Sequence, residues 1–359
     1  MPSSGPVSWF ADIGLQDRPR VGGKGGSLGE LQRAGIAVPP GFVVTTEGFE
    51  RFVEGLERES AVRSMVEALN ADDLSAVTEC SKRLRGRVEQ APLPTELQEA
   101  LVAAYEKLAA EASAGMAGRG GSGLAVAVRS SATTEDAADA SFAGLQDTYL
   151  WVRSAADMLH KVRSCWASLY SVESITYRRK RGFPEAGVAM AVVVQKMVDA
   201  RTAGVMFTRS PLTGDRSVIT IEGAWGLGSA VVGGEVTPDR WVLGKITGEI
   251  AVREISDKAI QHVPAAGGGV ESIAVSDELR RGPCLTDEQL QALRGIGRQV
   301  ERHYGRPQDI EWAVERGTGE ILLLQSRPET VWSSKESQPV ARAAENPLSH
   351  VMSIFGGRK

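Results

Sequence analysis

The chain has only three cysteines in 359 residues. Cys80, Cys165 and Cys284 are widely spaced with no CxxC pair, which supports neither a zinc site nor a disulfide framework and fits a reducing cytoplasm. An excess of basic charge is also missing: 41 Lys and Arg stand against 45 Asp and Glu, for a formal net charge of -4. That balance gives no general attraction to nucleic acid or to an anionic membrane surface. No stretch approaches the roughly 20 apolar residues of a membrane span, and the start MPSSGPVSWFADIG lacks the basic-then-apolar order of an export signal. What is present is 42% hydrophobic and 24% charged residues, enough to bury a core in two or three lobes. The expectation is a folded cytoplasmic protein with no nucleic-acid and no membrane partner. One basic run, TYRRKRGF (176 to 183), has no wider basic surface or aromatic interleaving around it and reads as a solvated helix end.

Residues 1 to about 50 mix glycine turns with a short helix, Leu28 to Ala34, and a strand, Phe42 to Thr45, introduced by Pro39-Pro40-Gly41. From Phe49 to Ala114 apolar residues recur at helical spacing, as in Leu97, Leu101, Val102, Tyr105 and Leu108. Thr95 to Gln98 has the form of a capping box, and the whole stretch reads as a helical insert. Strand-like runs follow at 125 to 131, 147 to 152, 188 to 198, 203 to 208 and 217 to 223, with a helical pair between 154 and 181. A helix over 285 to 305, capped by Thr286 or Asp287, precedes DIEWAVE and ILLLQSRP around a glycine turn. After Trp332 the polar stretch SSKESQPVARAAENP reads as a linker. GRGGSG at 118 to 123 formally matches GxGxxG, but it follows a helix and precedes a strand, the reverse of a dinucleotide fingerprint.

VGGKGGSLGEL, with Lys24 inside a glycine run, has the look of a phosphate loop. A Walker A loop needs Ser or Thr after its lysine, whereas Gly25 follows Lys24 and Arg18 stands where the first glycine belongs. The final hairpin carries more chemistry. A three-residue loop Gly317-Thr318-Gly319 pairs Arg316 with Glu320 and, counting outward, Glu311 with Gln325. Arg327 then shares their face, while Ile310, Trp312, Leu324 and Ser326 point the other way. Carboxylate, amide oxygen and guanidinium on one face suit Mg²⁺-phosphate; the plainer alternative is a surface salt bridge between Glu311 and Arg327. Arg129 ends an apolar strand beside a small-polar loop, placed either to clamp phosphate or to pair with Glu135 or Asp136. Gln195 interrupts an apolar strand, and its buried amide needs a partner, a purine edge or a backbone group.

Taken in order, VGGKGGSLGEL, AVRSSATTEDAADASFAGLQDTYL, the strand ending VQKMV, GVMFTRSPLTGD, IEGAWGLGSAVVGGEVTPD and DIEWAVE with QSRP resemble the N-terminal nucleotide-binding domain of the phosphoenolpyruvate synthase, pyruvate phosphate dikinase and rifampin phosphotransferase family. The resemblance runs collinearly over roughly residues 8 to 332. It implies an α+β ATP-grasp fold with two lobes: residues 1–200 including the insert at about 50–115, then 201–332, with 333–359 as a linker or docking tail. It also implies that Lys24 reaches the ATP phosphates and that Arg129 contacts the β- and γ-phosphates. Gly144 and Thr148 would lie in the glycine-rich lid, and Gln195 with Met197 at the adenine hinge. Glu311 and Gln325 would bind magnesium, with Arg327 as the arginine of QSRP. Glu222 is a candidate for the ribose side or a plain strand-end carboxylate.

Whole family members also carry a swivelling domain whose histidine accepts phosphate, and often an acceptor-binding domain. The histidines here are His160, His262, His303 and His350; only Ser349-His350 echoes that motif, without its glycines. His303 reads as a helix-end residue. The resemblance therefore implies an ATP-binding subunit, resembling that of split phenylphosphate synthases, that works with a histidine-bearing partner on a small acceptor and releases AMP. An excised domain of a longer synthase or antibiotic phosphotransferase and an ATP-sensing module are the alternatives.

Overall fold

Apolar runs bounded by turns become the central strands of two antiparallel sheets in the computed structural model, which describes residues 5–114, 123–133, 147–330 and 332. The five-stranded sheet has the order β1-β2-β5-β3-β4, from β1 (Val7–Trp9), β2 (Gly41–Val44), β3 (Val126–Ala132), β4 (Thr148–Val152) and β5 (Met190–Lys196). The seven helices of this part are α1 (Arg18–Arg33), α2 (Thr46–Ser60), α3 (Val62–Glu67), α4 (Leu74–Gln90), α5 (Thr95–Ala114), α6 (Ala155–Ala167) and α7 (Val172–Arg181). Both faces of β5 are covered, which accounts for its unbroken MAVVV. Val192 and Val194 join Phe42, Val44, Val126 and Val128 in a core with the helices of the insert and α6, whereas Ala191 and Val193 meet Val21 and Leu28 of α1 on the other face.

Three local expectations need correction. The helix α5 begins at Thr95 itself, with the Gln98 amide bonded to the Pro94 carbonyl, so Thr95 lies inside the first turn and does not cap it. The glycine run at Lys24 is no loop, because α1 extends from Arg18 to Arg33 with a single break at Gly22. Gly22 has φ +70, and a Cβ there would come within 2.2 Å of the Ser131 carbonyl oxygen, so only glycine lets the helix restart against β3. In the basic run, Arg178 is 1% exposed. It holds Glu185 through two bonds of 3.0 and 3.1 Å, so the run is partly core rather than a solvated helix end.

The six-stranded sheet has the order β13-β12-β6-β7-β8-β9. Its strands are β6 (Ala200–Phe207), β7 (Val218–Trp225), β8 (Asp239–Gly244), β9 (Ile250–Glu254), β12 (Gln308–Glu315) and β13 (Ile321–Pro328). Between them come α8 (Ser229–Val232), the hairpin β10 (Ile260–Pro264) and β11 (Val270–Ala274), α9 (Asp277–Arg280) and α10 (Asp287–Tyr304). The sequence reading named none of β8 to β11. Thr286 caps α10 in a reciprocal box with Gln289, and Gly305 ends it at φ 67. Leu290, Leu293 and Val300 of α10 pack on Met206, Ile221, Trp241, Ile310, Trp312 and Leu323, which form the buried back of this sheet.

Helix α1 belongs to both cores. Its Leu31, and Ile36 just beyond it, are buried with the six-stranded sheet. The Ser27 hydroxyl donates to the Ser326 carbonyl at 2.6 Å, and the Leu323 amide donates to the Ala37 carbonyl at 2.9 Å. The helix that carries Lys24 is thereby fixed against β13.

Candidate functional site

Antiparallel register determines what the front of the six-stranded sheet displays, because directly paired residues stand on one face. Gln325 pairs with Glu311, Glu311 with Val205, Val205 with Glu222, Glu222 with Arg240 and Arg240 with Glu254. A row of polar side chains, interrupted by Val205 on β6, thus crosses the sheet. Two residues along, Arg327 pairs with Asp309, and its guanidinium lies 3.4 Å from the Asp309 carboxylate. Arg327 therefore pairs with Asp309, not in the salt bridge to Glu311 held open as the plain alternative.

The expected pairing of Glu311 with Gln325 is correct, but the turn that was to produce it is different. The Glu315 amide bonds the Glu320 carbonyl, and the Arg316 amide leaves the hairpin for the Asp199 carbonyl. The loop is thus one residue longer than Gly317-Thr318-Gly319. A register shift between Glu311 and Trp312, which opposes Leu323 to Trp312, restores the count. The shift has one visible cost to the expectation: Leu323, not Leu324, enters the back core, while Leu324 packs on the opposite side with Ala313 and Leu322.

Arg129 comes to this row from the other sheet. On β3 it pairs with Val193 and Thr148, and it is 9% exposed. Its guanidinium donates to the Glu311 carboxylate at 3.0 Å, to the Gln325 side-chain oxygen and to the Leu324 carbonyl at 3.1 Å. Among the described residues its ion-pair partner is Glu311, on the other sheet; Glu135 and Asp136 lie outside the described residues. The Nε is buried with no hydrogen-bond partner among the described residues, leaving one donor for an oxygen ligand.

Lys24 follows the Gly22 break and is half-buried. The next residue, Gly25, donates its amide to the Ser131 hydroxyl at 3.2 Å, two positions along β3 from Arg129. Thr148 is exposed beside Arg129, whereas Gly144 lies outside the described residues. Gln195 is 3% exposed and takes the backbone option, donating to the Pro39 carbonyl at 3.4 Å. The Met197 amide donates to the Ala125 carbonyl at 2.9 Å. The Met197 side chain joins Trp151, Val198, Ala203, Leu227 and Ala313 in an apolar cluster. Ala203 and Ala313 are two residues from Val205 and Glu311, so this apolar patch and the polar row share one face.

Asp309 is a further carboxylate on this face, two residues from Glu311 in DIEWAVE. Burial pushes its carboxyl up to about 6 against the pull of Arg327. Burial also raises Glu222, opposed by Arg240. The oxygens of Asp309, Glu311 and Gln325 are hard donors of the type magnesium takes, here engaged by Arg129 and Arg327, and among the described residues no cluster of three His, Cys, Asp or Glu forms a metal site. His303, in the last turn of α10, meets Glu30 at 2.7 Å. His262 lies between Ser229 at 2.8 Å and Glu235 at 3.2 Å. His350 lies outside the described residues. Cys80, Cys165 and Cys284 are free and buried, and no described helix is long and apolar enough to cross a membrane.

The model of the family described as pyruvate phosphate dikinase, AMP/ATP-binding domain, matches residues 18–347. A probable phosphoenolpyruvate synthase of Methanothermobacter thermautotrophicus is 40% identical over 339 residues, covering 94% of this chain and 48% of that protein. One from Methanocaldococcus jannaschii is 38% identical over 336 residues, covering 94% of this chain and 28% of the relative. The phosphoenolpyruvate synthase of Pyrococcus furiosus is 37% identical over 379 residues, with 94% and 45% covered. The chain thus spans less than half the length of each of these relatives.

Proposed function

Because this chain belongs to the pyruvate phosphate dikinase AMP/ATP-binding domain family, we propose that it is the ATP-binding part of a dikinase-type phosphotransferase with an ATP-grasp arrangement. Its nucleotide would lie between the two sheets. The single observation that carries this reading is the convergence of Arg129, from one sheet, on Glu311 and Gln325 of the other, at the end of a polar row flanked by an apolar patch. Base and ribose suit the patch around Met197 and Ala203, with Gln195 behind the hinge and Glu222 toward the ribose. The triphosphate would lie at the Arg129 end of the row, met by Lys24, Arg129, Thr148 and Arg327, with Gly144 in a covering loop.

The chemistry proposed is attack by an imidazole nitrogen of a partner's histidine on the β-phosphorus. The bond to the α–β bridging oxygen breaks, AMP leaves with that electron pair, and the histidine keeps a pyrophosphoryl group. Water or phosphate then takes the γ-phosphoryl, and the remaining phosphoryl passes to a small acceptor, a phenol in one version of this reading. Arg129, Arg327 and Lys24 present fixed positive charge where negative charge shifts among phosphate oxygens, the main source of catalysis in such transfers. Asp309, Glu311 and Gln325 would hold Mg²⁺, which supplies charge neutralisation at the phosphates when bound. The length of the relatives supports a histidine-bearing partner, as a separate subunit or a further domain.

The first test is binding. The chain alone should be stabilised against heat by Mg·ATP at millimolar concentration through mass action, by about 2.7 kcal/mol at a hundred times Kd. No shift at that concentration removes the site.

A further inference from the structure

The two oxygens assigned to the metal are already in use. One terminal nitrogen of Arg129 bonds both the Glu311 carboxylate and the Gln325 amide oxygen, and a second holds the Leu324 carbonyl. Two residues along, Arg327 of β13 lies 3.4 Å from Asp309 of β12. Both arginines assigned to phosphate are therefore parked on side chains assigned to the ion.

A divalent ion of magnesium's type takes its oxygens at about 2.0–2.1 Å. An oxygen accepting a short charge-assisted bond from a guanidinium offers less electron density to such an ion, and two cations sharing one carboxylate repel at short range. The Arg129 stem is enclosed, at 9% exposure with Val193 and Thr148 as its strand partners, while its terminal nitrogens reach the edge of the row. Phosphate is a better partner for the fork than one carboxylate, and its orphaned Nε offers a further donor to it. Phosphate that draws the guanidinium away releases the two oxygens.

We propose that Arg129 is an internal counter-ion that competes with the divalent ion for Glu311 and Gln325, so that the ion by itself binds weakly until nucleotide phosphate takes the guanidinium. This inference rests on the reading of Glu311 and Gln325 as the metal pair. It reverses the sign that a simple binding-site residue would give, because removing Arg129 improves one affinity.

The test is Mn²⁺ binding to the whole chain without nucleotide, read from the loss of the free-ion electron paramagnetic resonance signal, with circular dichroism as a check on folding. Arg129→Met should bind Mn²⁺ about tenfold more tightly than the unaltered protein, the equivalent of one charge-assisted hydrogen bond. Arg129→Gln, neutral and of similar reach, should move the same way and serves if methionine disturbs the fold. Adding Glu311→Gln should abolish the gain. Unchanged or weaker Mn²⁺ binding in a folded Arg129 variant, with Glu311→Gln still lowering it, overturns the counter-ion and leaves the metal pair standing. Mn²⁺ binding indifferent to Glu311→Gln in every background removes the metal pair and the proposal with it.

Discussion

The two faces of the six-stranded sheet come from the same strands and differ in everything else. On the back, Ile310, Trp312, Met206, Ile221 and Trp241 are at most 1% exposed and locked under α10. On the front, the residues between them present Gln325, Glu311, Glu222 and Arg240 in one row. The back holds the fold together, and the front is free to carry charge because the back does so. Substitutions should therefore separate cleanly into those that unfold the chain and those that disarm it.

The sharpest contrast is the largest effect. Trp312→Ala removes a fully buried indole from the back and should cost about 3–5 kcal/mol of stability, read by denaturant unfolding. Its neighbour in sequence faces the other way, and Glu311→Ala should cost less, about 1.5–3 kcal/mol, through the lost bond to Arg129. A Trp312 variant as stable as the unaltered chain would break the distinction.

Next comes Arg129→Ala, which should lower phosphoryl transfer by roughly 10²- to 10³-fold, while ATP affinity falls much less, since a phosphate clamp matters most as charge redistributes. Equal losses in both would make Arg129 a binding residue only. Glu311→Ala should then weaken metal-dependent ATP binding by about tenfold and leave metal-free nucleotide binding little changed, as titration calorimetry with and without Mg²⁺ would detect.

The smallest effect lies off the row, where α1 meets α10. Burial raises the Glu30 carboxyl, but the bonds from His303 and the Leu15 amide and the nearby Arg33 charge outweigh it, and the net shift is downward. A depressed carboxyl contributes stability above its unfolded value near 4.5, and that contribution is lost as pH falls through the lower folded value. Glu30→Gln should flatten this acid limb and cost under about 1 kcal/mol at neutral pH, because the pair is partly solvated. An unchanged acid limb would mean that the contact does not tie the helix down.

The comparison also explains what could be read from the sequence. Strict alternation in DIEWAVE and QSRP made the front and back of β12 and β13 legible, and the pairing of Glu311 with Gln325 followed. It did so through two errors that cancel, a loop one residue too short and an unseen bulge, and Leu324 shows where they failed to cancel. Bulges depend on packing between strands, which a single strand's pattern does not encode. The glycine run at Lys24 misled for a related reason. Intrinsic propensity argues against helix there, but Gly29 lies where a Cβ would come within 2.4 Å of the Ile13 carbonyl oxygen, and close packing overrides propensity. The partner of Arg129 was unreadable because Glu311 is far along the chain and on another sheet. Strands β9 and β11 are largely exposed and β10 is mostly half-buried, so they carry little apolar alternation to detect.

The proposed function turns on transfer of the β-phosphoryl of ATP to a histidine of a partner. ATP labelled at the β-phosphate, given to the chain together with the polypeptide that bears the histidine, tests it most directly. Acid-labile label is expected on the partner's histidine, with AMP formed and the γ-phosphate released as phosphate or pyrophosphate, and no stable label is expected on the chain alone. Formation of ADP with γ-label on the acceptor, or β-label on His350 of this chain, would contradict it.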